Sequence, residues 1–322
     1  MHETSSYSLD GQNVLFLFNP TAGNGLSKSE KSEVRDVALL VQSLGNTVDI
    51  NETSAPNHAT EIARSAQVKG IDSIIVVGGD GTLNEVIQAT AGTNTVVGNI
   101  PTGFFNIWAH ETNIPTDIKK AGEELMKGKT KMVDVGKIND TLFLQFANLG
   151  FDSEEYMKVH KPHEARRHSG LVTFGETFLR CMKDGWGYRG HPAAVLQHDQ
   201  EYALNNLLIG VISNSRKYGP LVLNPEIKLN DGKFDMAFFE GENGMDFVKQ
   251  FVDVVRHKEN PGFRRSILSE GEELVINSED EIGITVDGNP LEYANSIRVK
   301  MLPQAQKIIV PRNVSAKLFL ST

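Results

Sequence analysis

The sequence predicts an α/β domain built on a parallel sheet, followed by a β-rich sandwich domain, and three observations predict it. At 322 residues with 39% hydrophobic content, the chain exceeds the usual size of one compact domain and can fill two cores. Its first 130 residues alternate short β-branched runs with helix-length stretches, the rhythm of parallel strands joined by right-handed crossovers. From about Lys131 onward, strand follows strand between Asn-Asp, Asp-Gly and Gly-Asn turns, the pattern of antiparallel layers. The expected division is 1–130 and 131–311, with a tail at 312–322 packing back on the first domain and a cleft between the two.

The run Val14-Leu15-Phe16-Leu17-Phe18 sets a first strand at 13–18, and apolar runs at 46–51, 72–77 and 95–100 supply three more. Helices are expected between them at 27–44, 57–69 and 82–91. A further helix, 117–127, follows Pro115 with Thr116 as its cap. The second domain reads as strands at 131–138, 142–147, 193–198, 206–213, 234–239, 272–277, 282–287, 296–302 and 307–311. Helices interrupt it at 170–183 and 244–257, where apolar residues recur at helical spacing.

Composition narrows the function classes. A net charge of −9 disfavours broad contact with nucleic-acid phosphates, which rests on Lys and Arg displacing counterions. Two local basic stretches, Lys158 to His168 and Arg256 to Arg265, are either solvated faces or contacts to an anionic surface. Every apolar run is strand-sized, far short of the roughly 20 residues of a spanning helix. Met1 to Gln12 is polar and acidic, unlike a secretory or transit signal, so a cytoplasmic address is expected. Cys181 stands alone, which excludes an intrachain disulfide. His160, His163 and His168 lack the spacing of a compact zinc site.

The chemistry concentrates in Gly78-Gly79-Asp80-Gly81-Thr82-Leu83-Asn84-Glu85, where a buried strand gives way to a helix. Glycines there let the backbone approach a ligand, and the free amides of a new helix favour phosphate. Asp80 either caps its helix or, beside an anion, holds Mg²⁺ or takes a proton. A second loop, Asn19-Pro20-Thr21-Ala22-Gly23-Asn24-Gly25, follows the first strand, on the same edge of a parallel sheet where ligands dock.

The loop Asn19 to Gly25, followed by Gly78-Gly79-Asp80-Gly81-Thr82 with Glu85, resembles the catalytic domain of diacylglycerol, sphingosine and bacterial lipid kinases. The resemblance continues in order. Thr53 with His58-Ala59 is similar to the segment closing over the nucleotide phosphates, and Pro101, Gly103, Asn106 and Ala109 to the next phosphate-side motif. Asp134, Gly136, Phe146, Asn148 and Gly150 resemble the opening of the family's second domain, Asp231-Gly232 its metal-binding turn, and Asp287-Gly288 its late Asp-Gly.

The resemblance implies an ATP- and Mg²⁺-dependent lipid kinase with Asp80 and Asp287 as catalytic carboxylates. Asn19, Pro20, Gly23, Thr53, Gly78, Gly79, Gly81, Thr82, Glu85, Gly103 and Asn106 would face the nucleotide, Asp134 and Asn148 the substrate, and Asp231 the metal. It further implies transient contact with a membrane surface, without a spanning segment, and allows a homodimer. Three positions depart from the family pattern: Phe104 replaces a Thr, Ile107 an Asp and Asn289 a Glu.

Two other readings share these motifs. Gly-Gly-Asp-Gly-Thr with Asn84-Glu85 also occurs in NAD kinases, and the three departures suit a catalytically silent nucleotide-binding protein. Phe104, Phe105 and Trp108 are either the core face of one short helix or the lining of an apolar acceptor pocket. Leu171, Phe174, Phe178 and Leu179 form either a core helix or a lipid-admitting lid.

Overall fold

The first 130 residues supply four strands, β1 (Asn13–Phe18), β2 (Thr47–Glu52), β3 (Ser73–Gly78) and β4 (Val96–Pro101). In the computed structural model, which describes residues 11–151, 153, 189–218, 221–222, 224, 226–256 and 262–320, they pair in parallel in the order β2-β1-β3-β4. Strands β3 and β4 are buried along their whole length, so apolar residues suit both faces. Strand β2 closes the row, is largely exposed, and mixes Val48 and Ile50 with Asp49, Asn51 and Glu52.

Three helices connect these strands, α1 (Lys28–Ser43), α2 (His58–Val68) and α3 (Asp80–Thr90), and two more, α4 (Ile107–Thr112) and α5 (Ile118–Met126), follow β4. A capping box starts α1, with Ser27 and Glu30 satisfying each other's backbone amides. The step from β1 to β2 runs against the later steps to β3 and β4. Right-handed crossovers therefore put α1 on the opposite face from α2 and α3. The packing agrees, since α1 lies on α5 and α2 on α3.

Three details differ from expectation. Helix α3 begins at Asp80 rather than at 82, leaving Gly79 as the only residue between strand and helix. The side chain of Asp117, not Thr116, caps α5 by accepting from the Lys120 amide at 2.9 Å. Helix α4 has too few turns for periodicity to reveal it.

The chain divides into two units, the first being Met1–Val135, Lys228–Asp231 and Pro303–Thr322. The boundary expected at 311 therefore falls at 302/303. The end of a long strand, β15 (Asn289–Val310), joins the first unit's sheet by pairing Lys307 with Val96 and Ile308 with Val97, in parallel. The following tail buries Leu318 and Phe319, and the Leu318 carbonyl accepts from the Leu229 amide at 2.8 Å.

The second unit, Gly136–Ile227 and Gly232–Leu302, is antiparallel. It receives the end of β5 (Lys129–Ile138), then β6 (Thr141–Phe143), β7 (Phe146–Gly150), β8 (His191–Gln197) and β9 (Gln200–Ser213). A short hairpin, β10 (Lys217–Tyr218) and β11 (Leu221–Val222), precedes β12 (Lys233–Glu240), α6 (Gly244–Val255), β13 (Phe263–Ser269) and β14 (Glu273–Val286).

Both β9 and β14 pair with β7 at one end and with β8 at the other. The strand density that suggested an antiparallel sandwich or barrel is thus one folded antiparallel sheet around a core that includes Phe143, Phe234, Phe238, Ile276 and Ile284. The stretches 272–277 and 282–287 fuse into β14, whose register shifts between Asn277 and Ile282. Expected strands 296–302 and 307–311 are likewise one strand, β15. Strand β13 escaped prediction because Arg264 and Arg265 interrupt its apolar pattern on an exposed edge.

The expected helix at 170–183, the three histidines, Cys181 and the basic stretch from Lys158 lie outside the described residues. Among those described, no helix is long and apolar enough to cross a membrane.

Gly136 has no room for a side chain, because a Cβ there would lie 2.0 Å from the Phe143 ring. Gly136→Ala is expected to destabilise the protein by about 1–3 kcal/mol through overpacking, read as a lower chemical-denaturation midpoint.

Candidate functional site

Three loops leave the C-terminal ends of β1, β3 and β4 within the first unit, and small residues let them converge. A Cβ on Gly79 would lie 2.9 Å from the Gly103 Cα, and one on Gly103 would lie 2.5 Å from the Gly79 Cα. Gly23, with φ +58°, would bring a Cβ to 2.7 Å from the Thr102 carbonyl oxygen. Gly78 is closed in the same way by Thr82, whose own Cβ would be 2.7 Å away. Gly23, Gly79 and Gly103 are therefore required by backbone contact and Gly78 by the Thr82 side chain, whether or not a ligand is present.

Polar side chains brace the loops. The Asn19 amide nitrogen donates to the Thr82 hydroxyl at 2.8 Å, while its Oδ1 accepts from the Thr21 amide and hydroxyl, both at 3.0 Å. The Asn19 main-chain amide reaches the Val77 carbonyl at 2.9 Å, and the Pro20 carbonyl accepts from Leu26 at 3.2 Å. Asn106, buried and left-handed at φ +46°, folds its side chain back on Gly103, accepting from its amide at 2.9 Å and donating to its carbonyl at 2.8 Å.

Asp80 joins the second and third loops. Its Oδ2 accepts from the Ile107 amide at 3.0 Å and its Oδ1 from the Trp108 amide at 3.1 Å, so the carboxylate caps α4 rather than its own helix. Charge-assisted bonds to two free amides of a helix start are strong anchors. Ile107, which departs from the family pattern, takes part here through its backbone. Trp108 is core, 1% exposed, whereas Phe104 and Phe105 are half-buried; the core-packing reading holds for the tryptophan. The Trp108 Nε1 and Thr102 Oγ1 are enclosed without a hydrogen-bond partner.

Several residues expected at the nucleotide also brace the fold. Glu85 accepts from the Ala59 amide at 3.1 Å through Oε2 and from the Thr60 hydroxyl at 2.7 Å through its carbonyl, tying α3 to the start of α2. Thr53 continues beyond β2, its amide donating to the Phe18 carbonyl at 2.8 Å. Asn19, Thr82 and Asn106 are committed to the bonds above. The part of the site left to a ligand is mainly backbone. Gly81 lies in the first turn of α3, whose N-cap residue, Gly79, has no side chain to bond the leading amides, so these suit an anion.

The carboxylates assigned to the substrate, the metal and the late motif fare differently. Asp134 is fully buried and accepts from the Gln304 amide at 2.7 Å, which removes it from any substrate-facing role. Asp287 is 3% exposed and left-handed at φ +45°. Its Oδ2 accepts from the Leu144 amide at 2.7 Å, and its Oδ1 from Gln145 at 2.8 Å and Phe146 at 3.0 Å. These bonds hold the turn between β6 and β7 and split the strand expected at 142–147. Asn148 is 5% exposed; its amide nitrogen donates to the Thr285 hydroxyl at 3.4 Å, and its Oδ1 has no partner.

Asp231, expected to hold the metal, stands in the turn before Gly232, with φ +71°. Among the described residues no group of three His, Cys, Asp or Glu side chains could hold a metal ion. Asp80 and Asp287 already bind backbone amides through both oxygens. Mg²⁺ bound with a nucleotide commonly takes only one or two protein carboxylates, its other ligands being water and phosphate oxygens, and Asp80 is the partly exposed carboxylate beside the loops.

Comparison with known proteins agrees with the motif order. Residues 13–138 match the model of the diacylglycerol kinase catalytic domain. A diacylglycerol kinase of Bacillus subtilis (strain 168) is 25% identical over 292 residues, covering 88% of this chain and 93% of the relative. That of Staphylococcus carnosus (strain TM300) is 26% identical over 312 residues, covering 92% and 95%. Two solved chains from Bacillus anthracis str. Sterne, one described as a putative diacylglycerol kinase and one as a diacylglycerol kinase, superpose with TM-scores of 0.76 and 0.70 at 21% and 20% identity. They cover 94% of this chain and 98% of their own, a likeness of fold.

Because Asp80 caps α4, its substitution should not leave the fold untouched, as a solvent-open ligand group would. Asp80→Asn removes one acceptor and sets an amide against a backbone N–H, and is expected to cost about 1–2 kcal/mol of stability, seen as a lower thermal midpoint.

Proposed function

We propose that the chain, whose residues 13–138 match the model of the diacylglycerol kinase catalytic domain, is an ATP-dependent lipid kinase moving the terminal phosphoryl group of ATP to a lipid hydroxyl, with diacylglycerol as the first acceptor to test. The observation that carries the reading is the convergence of three glycine-containing loops at the uncapped start of α3. Backbone amides of Asp80, Gly81 and Thr82 would face the phosphates, with the loops at Gly23 and Gly103 closing on either side. Phosphoryl transfer needs positioning and charge stabilisation more than covalent help, and rigid amide donors supply both.

Of the two carboxylates, Asp80 is partly exposed and Asp287 is enclosed. We therefore assign the acceptance of the lipid hydroxyl proton to Asp80, the carboxylate that a substrate can reach. Asp287 positions the 144–146 turn. Asn148, with an acceptor atom to spare, is the substrate-side candidate of the second unit. A lipid acceptor puts the working enzyme at a cytoplasmic membrane surface.

One observation favours a second reading, that of a silent nucleotide-binding protein: the two carboxylates expected to act are both tied to main-chain amides. A single experiment separates these readings and the NAD-kinase alternative. Incubation with radiolabelled ATP and Mg²⁺ is expected to label diacylglycerol in mixed vesicles. Label on NAD alone, or ATP bound without transfer to any hydroxylated lipid, contradicts the lipid-kinase reading.

Gly79→Val, which drives a side chain into Gly103, is expected to abolish ATP binding in calorimetry.

A further inference from the structure

Thr102 stands at the crossing of the three loops. Its amide donates to the Gly78 carbonyl at 3.1 Å, its carbonyl oxygen faces Gly23, and the next residue, Gly103, touches Gly79. The neighbouring hydroxyls of Thr21 and Thr82 both meet Asn19, but the Thr102 Oγ1 is enclosed with no partner. Buried hydroxyls are normally satisfied, and an orphan at a candidate ligand site asks what satisfies it. Thr102 as a residue remains half-buried, so one rotation about χ1 can re-aim the hydroxyl. Two positions later, Phe104 occupies the place where the resembled family carries a hydroxyl.

We propose that Thr102 donates a hydrogen bond from its hydroxyl to a phosphate oxygen of the bound nucleotide, replacing the donor absent at Phe104. The proposal rests on the nucleotide-binding reading above and adds a binding residue to it. A hydroxyl at the end of β4 approaches the phosphates from beside Gly103, so the same bond is made from the other side of the turn. The neighbouring Asn106 clamp keeps that turn rigid in either case.

The test uses the full-length chain and four forms: wild type, Thr102→Val, Thr102→Ser, and Thr102→Val combined with Phe104→Thr. Calorimetric titration with ATP is expected to show binding weakened by about tenfold in Thr102→Val, the loss of one hydrogen bond to a charged acceptor. Thr102→Ser should bind as wild type, and Phe104→Thr should restore affinity in the valine background. Thermal midpoints taken alongside show whether the fold has survived; should Thr102→Val not fold, the serine form and Phe104→Thr in wild type decide, the latter gaining little where Thr102 already donates. Unchanged affinity in folded Thr102→Val overturns the proposal while leaving the nucleotide reading in place. A wild-type chain that binds no ATP overturns both.

Discussion

Gly79 and Gly103 meet backbone to backbone, and the Asp80 carboxylate locks that contact by holding the first two amides of α4. The remaining geometry of the first unit follows from this clasp. It forces the turn after β3 to be a single residue, points the open amides of α3 at the space between loops, and places Thr102 at their crossing. A side chain on either glycine would part the loops. A neutral residue at Asp80 would release α4.

The protein uses carboxylates as fasteners in both units. Asp80 and Glu85 reach helix starts 27 and 26 residues away, and Asp287 gathers three amides more than 140 residues away. Each bond replaces water around an ion with backbone donors that the fold would otherwise leave unsatisfied. In the proposed phosphoryl transfer, the phosphates are met by amides held rigid by these ions. This differs from a site in which carboxylates face a metal directly, and it fits the loss of acidic side chains at Ile107 and Asn289.

Much of the fold was legible because its causes are local. The runs Val14 to Phe18 and Ile74 to Val77 announce buried strands, and the glycines at 78, 79 and 81 announce the strand-to-helix turn. The illegible parts depend on distant partners. Helix α4 exists because Asp80 caps it, and the break between β6 and β7 exists because Asp287 claims the amides at 144–146. Neither cause lies within a reading window. The bracing bonds of Asn19, Glu85, Asn106 and Asp134 were not legible, since a motif names the residue type without saying which neighbours its side chain holds. The burial of Asp134 had a local signal, Val133 and Val135 on either side within a strand, that could have been weighed.

Hydrogen exchange measured by mass spectrometry, with and without a non-hydrolysable ATP analogue, tests the central claim most directly. Slowed exchange confined to peptides covering 19–25, 78–83 and 102–108 is the predicted result. Protection centred elsewhere, such as along the groove between β2 and α2 lined by Asp49, His58 and Lys69, or no protection at any analogue concentration, would contradict it.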